Sequence, residues 1–257
     1  MTTRIIIPAR LASTRLPEKL LRQVAGRTVL HHTHAAAAAC GLGDPVVAVD
    51  DPKLADEVEN FGGHSVMTSP DCPSGTDRMA EAAASLGLAD DDIVVNVQGD
   101  EPEIAPEAVR RVATLLTEDP HADLATVATP IRDAKTLADP GVVKVVMEFA
   151  GDFETGRGRA VSFSRSAVPH DRDGELDVAS QHQMWWHHLG LYAYRVSFLR
   201  WFAAAPVSPL ERIEKLEQLR AIAAGKRVVV GAVERATPGI DTEEDLAAFA
   251  WRSVGTT

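Results

Sequence analysis

At 257 residues, 45% hydrophobic and 25% charged, the chain suits one large α/β domain, or such a domain carrying a smaller inserted lobe. Its formal net charge of −11 argues against a general nucleic-acid or anionic-membrane partner, and no apolar run approaches the ~20 residues that span a bilayer. The two cysteines, Cys40 and Cys72, sit in no metal-ligand spacing and read as reduced thiols of a cytoplasmic protein.

The N-terminus enters a strand almost at once, Arg4 to Pro8, so no signal peptide is expected. Further short, β-branched runs predict strands at 45–50, 64–68, 92–98 and 124–129. Helical patterns fill the gaps, at 28–40, 52–61, 76–86 and 106–116. Two of them open on proline, Pro52 and Pro106, and Gly41, Gly62 and Gly87 follow helix ends. Strand and helix in alternation with short connections imply a parallel sheet covered on both faces.

The middle of the chain differs. Strands are expected at 142–148, 160–164 and 188–194, joined by polar connections at 151–159 and 170–184 and without intervening helices. This pattern predicts a partly antiparallel lobe that carries substrate. A strongly periodic helix over 209–224, a strand at 227–233 and a helix at 242–251 close the chain, the last with a Thr242–Asp245 capping box.

Charge is unevenly spread. Between Arg4 and Gly43 six cations (Arg4, Arg10, Arg15, Lys19, Arg22 and Arg27) face only Glu18. The run Ile7-Pro8-Ala9-Arg10-Leu11-Ala12-Ser13-Thr14-Arg15-Leu16-Pro17-Glu18-Lys19 leaves an apolar strand, and such loops border the ligand crevice of a parallel sheet. Arg, Lys and backbone N–H groups there can hold a polyphosphate. The segment lacks both the GxxxxGK[ST] and the GxGxxG patterns, which disfavours the two common nucleotide loops. A buried strand then delivers Asn96-Val97-Gln98-Gly99-Asp100-Glu101-Pro102, placing a carboxylate at a strand end where a hard cation could bind. Asp241 is a second such acid, for which helix capping is the plainer role when it is read alone. The histidines at 31, 32 and 34 and the Trp185-Trp186 pair read as packing or surface features, and Cys72 as a simple loop residue.

With these motifs assembled, the chain resembles the 3-deoxy-manno-octulosonate cytidylyltransferase (CMP-KDO synthetase) family. The family patterns are met by Ile7–Lys19, by Ser74-Gly75-Thr76 with Arg78, and by Asn96–Pro102. They recur in Val143–Val146, Phe163–Arg165, His188–Arg195, Leu210–Arg220 and Gly239–Leu246, in the family order and over nearly the whole chain. The chain departs from the pattern at Glu18, Cys72 and Asp139, where the family shows glycine, histidine and asparagine.

The resemblance implies a mostly parallel, Rossmann-like nucleotidyltransferase fold of three α/β/α layers with a smaller, partly antiparallel lobe. It implies a single domain over 1–257, with an inserted sugar-binding and dimerisation lobe at about 132–208. CMP would pass from CTP to the anomeric hydroxyl of KDO with release of pyrophosphate. By the same resemblance Ala9, Arg10, Ser13, Arg15 and Lys19 would hold the triphosphate, with Arg10 and Lys19 countering charge on the leaving group. Ser74, Thr76, Arg78 and Gln98 would border cytosine and ribose, and Asp100 and Asp241 would bind Mg2+. Arg165, His188, Tyr192, Glu211, Glu214 and Gln218 would line the sugar site, the last three from one face of a single helix. A cytoplasmic homodimer feeding lipopolysaccharide assembly is the implied setting. Activation of another acidic 2-keto-3-deoxy sugar or a phosphonate is the neighbouring reading, and a non-catalytic nucleotide-binding module the more distant one.

Overall fold

The computed structural model describes residues 1–149, 156–180 and 182–254. In chain order they form β1 (Thr3–Ala9), β2 (Gln23–Val24), β3 (Arg27–Thr28), α1 (Val29–Ala38), β4 (Val46–Val49), α2 (Pro52–Asn60) and β5 (His64–Met67). Next come α3 (Gly75–Ser85), β6 (Ile93–Asn96), α4 (Pro106–Glu118), β7 (Leu124–Pro130), α5 (Ala134–Ala138), β8 (Lys144–Phe149) and β9 (Arg157–Ser164). The chain finishes with β10 (Trp186–Arg195), α6 (Val196–Ala204), α7 (Pro209–Glu214), α8 (Gln218–Ala223), β11 (Val228–Ala232) and α9 (Glu243–Val254).

The chain divides into two compact units. The first holds Met1–Arg110, Arg195–Ala203 and Thr237–Thr257. Its strands run parallel in the order β5-β4-β1-β6, with Ala9 level with Val49 and Ile6 level with Asn96. Ile5, Ile6 and Ile7, Val47 to Val49 and Ile93 to Val95 are all buried, so both faces of these strands are covered. Local signals explain the helices around them. Asp51 caps α2 by accepting from Lys53 N, Ser74 caps α3 by accepting from Asp77 N, and Gly62 and Gly87 follow helix ends at φ 77 and 64, where a Cβ would be strained. The Thr242–Asp245 box opens α9, with Asp245 N–H donating to Thr242 Oγ1 and Thr242 N–H to Asp245 Oδ2.

The second unit holds Arg111–Tyr194 and Ala204–Ala236. Its strands lie in the order β10-β7-β11-β9-β8, with β7 and β11 parallel and the other neighbours antiparallel. It is larger than the expected lobe at 132–208, because β11 pairs with β7 and so brings 124–130 and 228–232 into the same compact unit. Trp185 packs with Ile131 and Leu137 and is core, as the plainer reading of the tryptophan pair has it.

Two expectations need correction. The single helix over 209–224 is two, α7 and α8, separated at Lys215, whose φ is 55. Glu211 explains the break. Its carboxylate binds Arg220 at 2.6 and 2.8 Å, yet nine residues of unbroken helix would set the two on opposite faces and roughly 13 Å apart. Among the described residues no α-helix lies between β8, β9 and β10; α5 precedes them, and α6 follows β10 with no turn residue between, its Val196, Phe198 and Phe202 reading as strand formers. Finally, β9 begins at Arg157, inside the polar connection expected at 151–159, of which 151–155 lie outside the described residues.

Candidate active site

Ile5–Ile7 and Ala9 are buried and β1 ends at the carboxyl edge of the parallel strands, so the residues that follow must leave into a loop at that edge. The loop is pinned early. Arg10 donates from Nη2 to the Cys72 carbonyl at 2.8 Å, and the Leu11 N–H donates to Asp50 Oδ1 at 2.9 Å. It then closes in a short 3₁₀ turn over Lys19–Leu21, which puts the Lys19 side chain inward. β6 delivers Gln98, Gly99 and Asp100 beside it. A Cβ on Gly99 would lie 3.0 Å from the Pro8 carbonyl oxygen and 3.3 Å from Leu20, so that glycine is needed for close packing of the two strand ends.

Lys19 Nζ donates to Asp100 Oδ2 at 2.5 Å and to Asp241 Oδ1 at 3.0 Å, and Arg15 meets the other Asp241 oxygen at 2.9 Å. Two acids well over a hundred positions apart thus converge on one ammonium. Burial pulls the Lys19 pKa down, but the charge and hydrogen bond of Asp100, followed by those of Asp241, outweigh it and hold the pKa above its usual value. Beside this cluster a cleft of about 240 Å³ is lined by residues including Arg10, Ser13, Lys19, Gly75, Gln98 and Asp100. It falls short of the ~300–1,000 Å³ of a whole small-molecule pocket and suits the phosphate end of a nucleotide. Gly75 is the first residue of α3, so a helix N-terminus with its partial positive charge borders the cleft.

In the second unit the Arg165 turn is clamped from both sides. Glu214 accepts from Ser164 Oγ at 2.7 Å and from Arg165 N at 3.0 Å, and these bonds, the backbone one foremost, keep its pKa below the usual carboxylate range. Fully buried Lys144 donates to the carbonyls of Asp139, Val142 and Arg165 at 2.6–2.8 Å, while burial lowers its own pKa. His188 is buried between Phe163 and Tyr192 and lies 3.0 Å from Thr126 Oγ1. The Thr126 hydroxyl donates to the Leu191 carbonyl, so His188 is inferred to donate from Nε2 and to keep Nδ1 as an acceptor. Burial, with a smaller contribution from His187, pushes the His188 pKa down to about 3, so the ring is neutral. Tyr192 is half-buried beside it, and burial raises its phenol well above the usual range.

A cytidylyltransferase family profile matches residues 4–228. The chain belongs to the cytidylyltransferase family.

It is therefore a nucleotidyltransferase. Among its relatives it is 53% identical over 255 residues, 98% of each chain, to a 3-deoxy-manno-octulosonate cytidylyltransferase of Rhodopirellula baltica. It is 45% identical to the protein of that name from Halorhodospira halophila, over 96% of this chain and 95% of the other. Among solved structures it is similar to a CMP:2-keto-3-deoxy-manno-octonic acid synthetase complexed with CTP, at 34% identity and a TM-score of 0.89 over the whole of both chains. A cytidylyltransferase from Leptospira borgpetersenii, 17% identical over 97% of this chain and 85% of the other, shares the fold at a TM-score of 0.62. The fold is an α/β nucleotidyltransferase fold with a mixed sheet.

Several residues expected at the cytidylyltransferase site lie outside the cleft or have polar atoms engaged by the protein itself. Arg78 is fully buried and does not line the cleft; it lies on the inward face of α3 with Met79 and Ala82, and its guanidinium bonds Thr68 Oγ1 and Asp50. Glu211 and Gln218 are buried on two different helices, and Glu211 is spent on its capping box with Ser208 and on Arg220. They do not share one exposed helix face with Glu214. Ser74 Oγ is engaged with Asp77, and Thr76 is buried in the same helical turn. Ala9 is the buried last residue of β1, and Arg15 reaches Asp241 without lining the cleft. Arg165 spends Nε on the Glu214 carbonyl and Nη1 on that of Pro140.

Asp50, Lys144 and Gly75, which contact or border expected site residues or the cleft, are not among those the sequence singles out for the site. Asp50 and Lys144 act through partners distant in sequence, whereas Gly75 could have been found as the first position after a capping serine. The Cys72 thiol donates to Glu81 at 3.1 Å and is pushed up to about 11, chiefly by burial, which makes it inert as a nucleophile.

Proposed function

We propose that this cytidylyltransferase transfers CMP from CTP to the anomeric hydroxyl of 3-deoxy-D-manno-octulosonate and releases pyrophosphate. The observation that carries the reading is the convergence of Asp100 and Asp241 on Lys19 Nζ beside a cleft lined by Arg10 and Ser13. The sugar oxygen forms a bond to the α-phosphorus as the bond from that phosphorus to the bridging β-phosphate oxygen breaks. Such a transfer depends on positioning and on charge neutralisation rather than on a covalent nucleophile. Arg10 and Lys19 neutralise the triphosphate and the departing pyrophosphate, and the N-terminus of α3 adds fixed N–H donors. In the second unit, Arg165, His188, Tyr192 and Glu214 are the side chains offered to the acidic sugar. Neutral His188 can accept a hydrogen bond from a sugar hydroxyl at Nδ1.

The donor chemistry fits magnesium. Two carboxylates already surround a cation, Lys19, and no cluster of three or more His, Cys, Asp and Glu occurs among the described residues. Two acids leave the rest of a hard ion's shell to phosphate oxygens and water, the pattern magnesium prefers. Asp100 and Asp241 would hold it, and the chemistry it supplies when bound is neutralisation of triphosphate charge. The reading extends to a Rossmann-like layering of the first unit and to a cytoplasmic homodimer serving lipopolysaccharide assembly. Among the described residues no helix is long and apolar enough to cross a membrane.

Pyrophosphate release from CTP and magnesium, measured with KDO and a panel of other acidic sugars, tests the reading. Turnover with KDO supports it, turnover only with another acid moves the substrate, and CTP binding without turnover points to a binding module. Asp100→Asn and Asp241→Asn are each expected to lower kcat by about 100-fold or more while the melting temperature moves little. Near-normal turnover of either variant at limiting magnesium would remove that residue from the metal set.

A further inference from the structure

We propose that Asp50 is a positioning residue for the nucleotide: its carboxylate, balanced by the buried Arg78 guanidinium, holds the first turn of the Arg10–Lys19 loop through the Leu11 N–H. The proposal rests on reading that loop as the phosphate-binding element.

Asp50 immediately follows β4, and β4 pairs in parallel with β1 so that Val49 lies level with Ala9. The two chains therefore leave the sheet side by side, and Asp50 stands next to the residues that open the loop. Oδ1 takes the Leu11 amide at 2.9 Å and Oδ2 takes Arg78 Nη2 at 3.1 Å. Arg78 also donates from Nη1 to Thr68 Oγ1, and Thr68 in turn donates from both N and Oγ1 to the Val49 carbonyl, at 2.8 and 2.9 Å. The path closes on the residue before Asp50, tying the ends of β4 and β5 and the first turn of α3 to the loop after β1.

The charges explain why both partners are present. Asp50 is about 10% exposed and Arg78 not at all, so neither is well screened by water. An unbalanced carboxylate beneath a triphosphate loop would repel the ligand, whereas the pair presents an almost neutral anchor. Carboxylate-to-amide bonds are charge-assisted and stronger than neutral ones. They suit the task, because Ser13, which lines the cleft, lies only two residues beyond Leu11 in irregular backbone whose ordering would otherwise oppose binding. Arg10 is fixed separately by the Cys72 carbonyl, so both residues that open the loop are placed before any ligand arrives.

The test is CTP binding to the full chain by calorimetry without sugar, together with the two Michaelis constants. Asp50→Ala is expected to weaken CTP binding about 10-fold while the sugar KM stays within about twofold. Asp50→Asn, whose Oδ1 still accepts the Leu11 amide, is expected to recover most of that loss. If Asp50→Ala fails to fold, Asp50→Asn and Asp50→Ala are each combined with Arg78→Met. These two pairs carry no buried charge and differ chiefly in the acceptor for Leu11, and the asparagine pair is expected to bind CTP about fivefold tighter. A folded Asp50→Ala that binds CTP as wild type does, equal weakening of both substrates, or equal CTP binding by the two pairs would overturn the proposal. Wild-type protein that binds CTP but turns over no acidic sugar leaves the anchor standing and sinks the sugar reading. Wild-type protein that binds no CTP removes the nucleotide reading and the anchor with it.

Discussion

Glu18 has φ 48, and among the described residues its side chain hydrogen-bonds only the exposed Lys53 ammonium, at 2.9 Å. A left-handed backbone costs a residue with a Cβ roughly 1–2 kcal/mol, and an exposed ion pair returns little. Glycine at this position in the related family pattern thus has a conformational cause that the sequence could not display. Glu18→Gly is expected to raise stability by about 0.5–1 kcal/mol, seen as a melting temperature higher by roughly 1–4 °C. A lower melting temperature would show that the Lys53 contact outweighs the backbone. His188 makes a second prediction at this scale. Its folded pKa, about 3, lies below the usual 6.5, so the unfolded chain binds the extra proton and stability falls as pH drops through that window. The slope from this ring approaches about 1.4 kcal/mol per pH unit between the two values. Melting curves from pH 4 to 7 should be flatter for His188→Gln than for wild type; equal slopes would mean the ring is protonated in the fold. The sequence placed His188 among the expected sugar residues, but its tautomer and neutrality come from Thr126, Leu191 and burial.

Among the elements, α7 and α8 show how tertiary contacts override a local pattern. The apolar spacing over 209–224 suits one helix, and only the pairing of Glu211 with Arg220, across a turn at Lys215, explains two. Glu211 thereby changes role from sugar contact to structural member. Glu211→Gln is expected to destabilise by about 3–5 kcal/mol, since it leaves Arg220 buried without its counter-charge, while the sugar KM of the folded fraction stays within about twofold. Denaturant melts beside steady-state kinetics check this; an unchanged midpoint with a raised sugar KM would restore the original role. The parallel strands of the first unit were legible for the opposite reason. The apolar runs of β1, β4 and β6 are buried on both faces, and capping residues such as Asp51 and Ser74 mark the helices between strands.

Across the whole molecule, the proposed chemistry is divided by unit, with every nucleotide and metal candidate in the first and every sugar candidate in the second. CTP with magnesium should therefore stabilise the folded chain by mass action, by about 2.7 kcal/mol at a hundred times its Kd, or roughly 5–10 °C. Chelation should remove much of that shift if Asp100 and Asp241 share a metal with the triphosphate; a shift indifferent to chelator would speak against the shared ion. The alternation of parallel strands and helices in the first half, the cationic loop and the two acids could be read from sequence alone, because strand periodicity, capping residues and clustered charge are local signals. What the tertiary structure alone decided is which charges meet. Lys19 joins Asp100 and Asp241, Arg78 turns inward to Asp50, and Glu211 is consumed by Arg220. Such partners are set by where strands end in space, and a buried charge takes whichever counter-charge the packing brings within reach.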